Sequence, residues 1–149
     1  MLKKLTSFLF WQLSRTFVFL YIYPKYKVSV NKGFKKFPPA PFIMVSNHGT
    51  FFDPWMIAAL STSPVSIMTN ENAFRTSSFT KWYLKNIGSF PKRKGAHDFK
   101  AMKLTLKKLK EKTPVLIFPE GQSTWDGETQ PVYPGIEKII KKSGVPLVI

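Results

Sequence analysis

Residues 42–55 read Phe-Ile-Met-Val-Ser-Asn-His-Gly-Thr-Phe-Phe-Asp-Pro-Trp, an apolar run followed by a polar turn and a helix opening. Phe42 to Val45 is continuously apolar between Pro41 and Ser46-Asn47, the pattern of a strand buried on both faces. Asp53-Pro54 opens a helix, because Asp serves as an N-cap and proline is tolerated at the first helical position. His48 therefore sits where a strand ends and a helix begins, and open α/β sheets bind their ligands at such points. The five-residue spacing allows a turn to fold the Asp53 carboxylate back onto one imidazole nitrogen. That would fix the tautomer and stabilise the imidazolium formed when the other nitrogen takes a proton. The competing reading is that Asp53 only caps and His48 only turns, and this stretch alone does not choose between the two.

A second stretch repeats the arrangement. Thr113-Pro114 breaks a helix, Val115 to Phe118 is again a buried-strand pattern, and Pro119-Glu120-Gly121 follows at its end. Polar chemistry thus follows two strand ends about 70 residues apart, and short strands alternate with helix-length segments between them. That alternation predicts an α/β sheet flanked by helices. Further strands are expected at 65–68 and 145–149, and helices at 53–60, 79–86, 98–112 and 134–142. In the 98–112 helix, capped by Asp98, the pattern places Phe99, Met102, Leu106 and Leu109 on one inward stripe.

Residues 1–23 form a helix-length segment rich in large apolar groups, interrupted by Gln12, Ser14 and Arg15. A spanning helix needs about 20 largely apolar residues, and a central charge costs about 2.5–3.5 kcal/mol. Anchoring in the plane of the interface is therefore the first expectation, with Trp11, Tyr21 and Tyr23 at headgroup level and Lys3, Lys4 and Arg15 meeting lipid phosphates. The alternative is a helix packed on the protein's own core. Pro24 is expected to close the helix and Tyr26 to Val30 to form a short strand. Residues 1–30 are thus read as a membrane-associated helix and strand, and 31–149 as one domain, entered through the Lys/Gly/Pro-rich connection at 31–41.

The chain of 149 residues carries 23 Lys and Arg against 8 acidic residues, a net charge of +15. Between Lys81 and Lys112 there are 11 basic and 2 acidic residues. Such a surface seeks a polyanion or an anionic membrane. There is no cysteine, which excludes disulfides, thiolate metal sites and a cysteine nucleophile. Only His48 and His97 supply imidazoles, so a His-rich zinc site is not expected. His97 is read as structural or solvent-exposed.

With Asn47-His48-Gly-Thr-Phe-Phe-Asp53 and Phe118-Pro-Glu-Gly121 both present, the chain resembles the glycerolipid acyltransferases, most closely the bacterial lysophosphatidic acid acyltransferases, from about residue 40 to its end. The resemblance implies an α/β layered domain, His48 as general base and Asp53 as its orienting partner. It implies Arg93 of Phe90-Pro-Lys-Arg93 as the ligand of the acceptor's phosphate, although aligning on Gly95 would put Lys94 there. The two are not interchangeable, since Arg grips phosphate with two parallel hydrogen bonds. Glu120 becomes an acceptor contact and Gly121 a point of close backbone approach. Two departures stand out: Gln122-Ser123-Thr124 follows Gly121 where the family has Thr-Arg-Ser, and Thr69-Asn70-Glu71 stands where a Lys often follows the second strand. Val145-Pro-Leu-Val-Ile149 begins the family's last motif, which gives the expectation of a C-terminally shortened domain.

The implied reaction moves a fatty acyl group from acyl-CoA or acyl-carrier protein to a lysophospholipid hydroxyl, most simply 1-acylglycerol-3-phosphate. No Gly-x-Ser-x-Gly elbow is present, so transfer is expected to be direct, with backbone N–H groups near Gly121 holding the oxyanion. A thioester supplies the energy, so no metal or redox cofactor is required. The expected partners are anionic lipid, the thioester donor and the lysophospholipid, with no nucleic acid. The expected location is the cytoplasmic face of a bacterial inner membrane. Two rival classes fit the composition: a basic nucleic-acid binder, for which no recognisable motif speaks, and a membrane-surface protein without catalysis.

Overall fold

The computed structural model describes residues 2–31, 33, 37–93, 98–121, 123, 124, 128, 130–132 and 134–149. Its centre is a parallel sheet of five strands: β1 (Ile43–Val45), β2 (Ser66–Asn70), β3 (Phe90–Lys92), β4 (Val115–Ile117) and β5 (Leu147–Val148), in the order β3-β2-β4-β1-β5. β4 takes the middle, paired in register with β1 (Val45 opposite Ile117) and with β2 (Ile67 opposite Leu116). Parallel strands covered on both faces must be apolar on both, which is why these segments read as continuous runs. Along them, alternate side chains divide between two cores. Phe42, Met44, Ile67, Leu116 and Phe118 go to one face, and Ile43, Met68, Phe90, Val115 and Ile117 to the other.

The first face is covered by helices α3 (Asp53–Ala59) and α4 (Ser78–Asn86), and the second by α5 (Phe99–Lys110) and α6 (Ile136–Ser143). β1 and β4 are neighbours whose onward connections run in opposite directions, to β2 and to β5. The crevice above their C-terminal ends is the switch point of a doubly wound sheet.

Several elements differ from the sequence reading. The strand expected at 26–30 does not form. The amides of Tyr26, Lys27 and Val28 donate to the carbonyls of Ile22, Pro24 and Tyr23, which close the preceding helix, and Lys27 turns at φ 49°. β3 forms in a stretch for which no strand is expected, and Pro91 fits there because an edge strand tolerates a residue that cannot donate. In α5 the inward stripe is Ala101, Thr105 and Leu109, not one led by Phe99, which is 69% exposed. Asp98 does cap α5, accepting from the amides of Lys100 and Ala101. The buried Thr105 hydroxyl is satisfied by the Ala101 carbonyl at 2.9 Å.

The N-terminal helix α1 (Leu2–Phe17) runs through a π-helical turn at Val18–Ile22 into the short α2 (Tyr23–Lys25). It has two faces. Trp11, Val18 and Ile22 are buried, while Leu5, Leu9, Leu13, Phe17 and Leu20 are each more than half exposed. Trp11 and Arg15 therefore do not have the lipid-facing places expected of them. The Arg15 guanidinium lies over the Trp11 and Phe19 rings, and its Nε donates to the Ala59 carbonyl at 2.8 Å. Tyr23 is likewise turned inward, its hydroxyl donating to the Met56 carbonyl. Tyr21 stays half exposed, and the side chains of Lys3 and Lys4 lie outside the described part. The helix is clamped through Arg15 to the end of α3. Arg15→Ala should weaken that docking by about 1.5–3 kcal/mol, the usual worth of a hydrogen bond from a charged donor. Amide exchange of residues 5–22 should speed up while that of β1 and β4 stays unchanged.

Candidate active site

Three backbone features bring the first motif together. β1 ends at Val45, a turn runs from Ser46 to Phe52, and Asp53 begins α3. Asp53 is not an N-cap in the expected sense, because its carboxylate reaches back into the turn. Oδ2 accepts from the amides of Gly49 and Thr50, both at 2.7 Å, and Oδ1 accepts from the Thr50 hydroxyl. The same Oδ2 lies 3.3 Å from His48 Nδ1. Burial would raise the Asp53 pKa, but the Thr50, His48 and Gly49 hydrogen bonds outweigh it and hold the carboxyl below its ordinary value. Asp53 is thus a fixed anion presented to Nδ1. That assigns the Nδ1 proton to the Asp53 side and leaves Nε2 as the nitrogen able to accept one.

β4 supplies the second wall. Phe118, just past Ile117, stacks on the His48 ring with centroids 4.3 Å apart and planes 30° from parallel. The Thr124 amide donates to the His48 carbonyl at 2.9 Å, tying the loop after β4 to the loop after β1. Gly121 adopts φ +70°, a conformation that favours glycine. Its own N–H donates to the Phe118 carbonyl at 3.1 Å. That amide is therefore not free to hold an oxyanion, and a donor near it has to come from another residue. Glu120 is buried at the end of β4, with Oε2 lacking a hydrogen bond among the described residues.

A groove of about 970 Å³ opens beside His48. Phe10, Leu13, Phe17, Trp55, Trp82 and Tyr83 form much of its apolar wall, so α1 is one side of it. At the strand ends its polar lining includes His48, Thr69, Asn70, Lys92, Arg93 and Ser123, with Gly121 beside them, and Glu120 is not among its lining residues. The volume is at the upper end for a small-molecule site, and the mixture of an apolar trough with a few convergent polar groups suits an amphipathic ligand. Arg93 is exposed at the end of β3, and its amide donates to Asp98 Oδ2 at 2.8 Å. Burial pushes the Lys92 ammonium below its ordinary pKa, against the pull of Asp98. The sequence puts Lys92 near Arg93, and its place on the groove follows from the strand pairing of Asn70 with Lys92. Lys94 and His97 lie outside the described residues.

The match to known proteins agrees with this arrangement. Residues 29–148 fit the family described as Acyltransferase. The chain belongs to the acyltransferase family. Among its relatives are two chloroplastic 1-acyl-sn-glycerol-3-phosphate acyltransferases: BAT2 of Brassica napus, 28% identical over 131 residues, and LPAT1 of Arabidopsis thaliana, 27% identical over 131 residues. Each alignment covers 85% of this chain but 37% and 36% of the relative, so the chain spans little more than a third of their length. The crystal structure of the 1-acyl-sn-glycerophosphate acyltransferase PlsC from Thermotoga maritima superposes with a TM-score of 0.73 at 22% identity, over 92% of this chain and 55% of that one. It shows the same fold. This acyltransferase-family sheet carries both of its sequence motifs at the switch point.

Because Asp53 is held below its ordinary pKa, its hydrogen bonds stabilise the fold above the unfolded carboxylate value near 4, and that contribution is lost as pH falls further. Asparagine cannot accept from all the Asp53 donors. Asp53→Asn should therefore be less stable than the parent at pH 7, and the gap should close toward pH 3, as read from urea unfolding at both pH values.

Proposed function

We propose that this protein transfers a fatty acyl group from an acyl thioester to the hydroxyl of a lysophospholipid, with 1-acylglycerol-3-phosphate the acceptor that fits best. The observation that carries this reading is the His48–Asp53 pair on an apolar groove whose polar strand-end lining also includes Lys92 and Arg93. His48 Nε2 takes the proton of the acceptor hydroxyl while Asp53 stabilises the imidazolium through Nδ1–H. The alkoxide attacks the thioester carbonyl, the C–S bond breaks, and the departing thiolate takes its proton from His48. The stacked Phe118 ring holds the imidazole plane and keeps water from one of its faces. No covalent enzyme intermediate is required, and the thioester itself drives the reaction without metal or redox chemistry.

The acceptor phosphate belongs at the β3 end. From β1 to β3 there are three strand spacings, about 14 Å in all, so a phosphate attached near a hydroxyl at His48 is reached from β3 only by a long side chain. Arg93 has that length and lines the groove together with Thr69, which stands where the family often has a lysine.

The N-terminal helix supports a site that works at a membrane. Leu5–Lys25 is long and apolar enough to cross one, with a mean hydropathy of 1.2. Its buried face on the domain, clamped by Arg15, favours lying in the interface with the Leu5, Leu9, Leu13, Phe17 and Leu20 strip in lipid. The groove, walled by the same helix, then opens toward the acceptor's own phase. Soluble thioester donors support the cytoplasmic face of a bacterial inner membrane as the working side.

His48→Ala should cut kcat for acyl transfer at least about a hundredfold without loss of fold, as measured by thioester consumption and circular dichroism. Full turnover in that variant would remove the base assignment. Arg93→Ala should raise the KM for a phosphorylated acceptor about tenfold to a hundredfold, leaving kcat and the thioester KM nearly unchanged. A phosphate-free lysolipid used equally well by the parent would exclude the phosphorylated acceptor.

A further inference from the structure

The polar lining of the groove is longer than a phosphate monoester needs. It follows the strand ends across the sheet: His48 after β1, Ser123 after β4, Thr69 and Asn70 at the end of β2, and Lys92 and Arg93 at the end of β3. The Thr124 amide bonded to the His48 carbonyl holds the Ser123 loop beside the base, and Asn70 pairs with Lys92 across β2 and β3. Three strand spacings separate the two ends of this row, about 14 Å. An acceptor hydroxyl at His48 lies four bonds from a phosphorus carried on the neighbouring carbon, no more than about 6 Å at ordinary bond lengths. About 8 Å of polar lining then remains beyond the phosphate.

The chemistry of that remaining stretch limits what fits it. Thr69, Asn70 and Ser123 are short, neutral groups that both donate and accept hydrogen bonds. Two of them, Thr69 and Ser123, stand where the family resemblance calls for a lysine and an arginine, so cations that would clamp a bare phosphate are replaced by hydroxyls. Asp98, which does not line the groove, interacts electrostatically with both Lys92 and Arg93, and these two cations and one carboxylate leave one net positive charge. One positive charge suffices for a phosphate diester, whose own charge is single. No acidic residue is among the described residues lining the groove, so an ammonium headgroup would meet Lys92 and Arg93 with no carboxylate to receive it. An uncharged polyol meets only groups that can hydrogen-bond its hydroxyls.

We propose that the strand-end lining from Ser123 to Lys92 also accepts a lysophospholipid whose phosphate is esterified to a small uncharged polyol, the lysophosphatidylglycerol class, and that this second acceptor is acylated at His48. This rests on the acyl-transfer reading above and adds an acceptor class to it. Arg93, reaching back from β3, meets the phosphate, and Asn70 and Lys92 meet the polyol that the phosphate carries. The polyol adds five bonds beyond phosphorus, about 7 Å at full stretch, which fills the remaining lining. The reaction is the one already described: the acceptor hydroxyl gives its proton to His48, its oxygen forms the new ester bond, the C–S bond of the thioester breaks, and the thiol leaves with the proton.

The test supplies the full chain in mixed micelles with palmitoyl-CoA, and separately with palmitoyl-acyl carrier protein. Three oleoyl acceptors are compared: lysophosphatidic acid, lysophosphatidylglycerol and lysophosphatidylethanolamine. In the parent, kcat/KM for lysophosphatidylglycerol should lie within about tenfold of that for lysophosphatidic acid, and lysophosphatidylethanolamine should fall at least about a hundredfold below both. Lys92→Glu should move the two diesters in opposite directions, raising use of the ethanolamine acceptor and lowering use of the glycerol acceptor by about tenfold each. Thr69→Lys, which puts a cation where the polyol passes, should raise the ratio of monoester to glycerol-diester kcat/KM about tenfold or more. A general loss of structure would lower all three acceptors together, so these opposed changes report on the headgroup. Acylation of lysophosphatidic acid without lysophosphatidylglycerol would overturn the proposal and leave the acyl-transfer reading standing. Equal use of the glycerol and ethanolamine acceptors, or ratios unmoved in both variants, would also overturn it. If none of the three is acylated from either donor, the acyl-transfer reading fails and this proposal with it.

Discussion

The pairing of β1 with β4 is the constraint on which the rest of this molecule depends. Val45 stands opposite Ile117, so the two strands end level with one another, and their continuations turn away to opposite sides. Levelness is what lets Phe118 stack on His48 and lets the Thr124 amide reach the His48 carbonyl. A slip of one residue would turn every side chain of one strand to the other face, exchanging Leu116 for Ile117 in the two cores and moving Phe118 off the imidazole. The central position of β4, with Val115, Leu116 and Ile117 fully buried, resists such a slip.

Above that pairing, polar groups are organised by one carboxylate. Asp53 gathers two amides, a hydroxyl and an imidazole nitrogen, and so converts a seven-residue turn into a rigid support for His48. The lowered pKa of this acid and its fixed position have the same origin, since each donor that lowers the pKa also restrains the position of the oxygen. His48 is thereby held at the rim of the groove, while the trough beside it stays apolar.

The N-terminal helix joins these parts to their surroundings. It is neither a free anchor nor a core helix, because Trp11, Val18 and Ile22 pack inward while the strip from Leu5 to Leu20 faces out. Phe10, Leu13 and Phe17 then make it a wall of the groove as well. The charge distribution follows the same division, with apolar surface on one side of the sheet and the lysines of α5 and α6 on the other.

Much of this is set by the sequence itself. The continuous apolar runs at 42–45 and 115–118, each followed by a polar turn, require strands buried on both faces with chemistry at their ends, because a strand in a parallel sheet has no solvent face to hide polar residues. His48, Asp53, Arg93 and Gly121 could be named from those turns and from the family resemblance they carry. What the sequence leaves open is everything that depends on which face meets which neighbour. Phe99 fits an inward stripe by spacing, yet it is exposed because Ala101 and Thr105 are the residues that meet the sheet. Arg15 reads as a lipid contact, yet the Ala59 carbonyl 44 residues away takes its hydrogen bond. The stretch at 26–30 has strand-like alternation, but its amides are already committed to closing a helix. Local pattern decides which segments can be helix or strand. Only the packed chain decides which way each one faces, because orientation is set by partners distant in sequence.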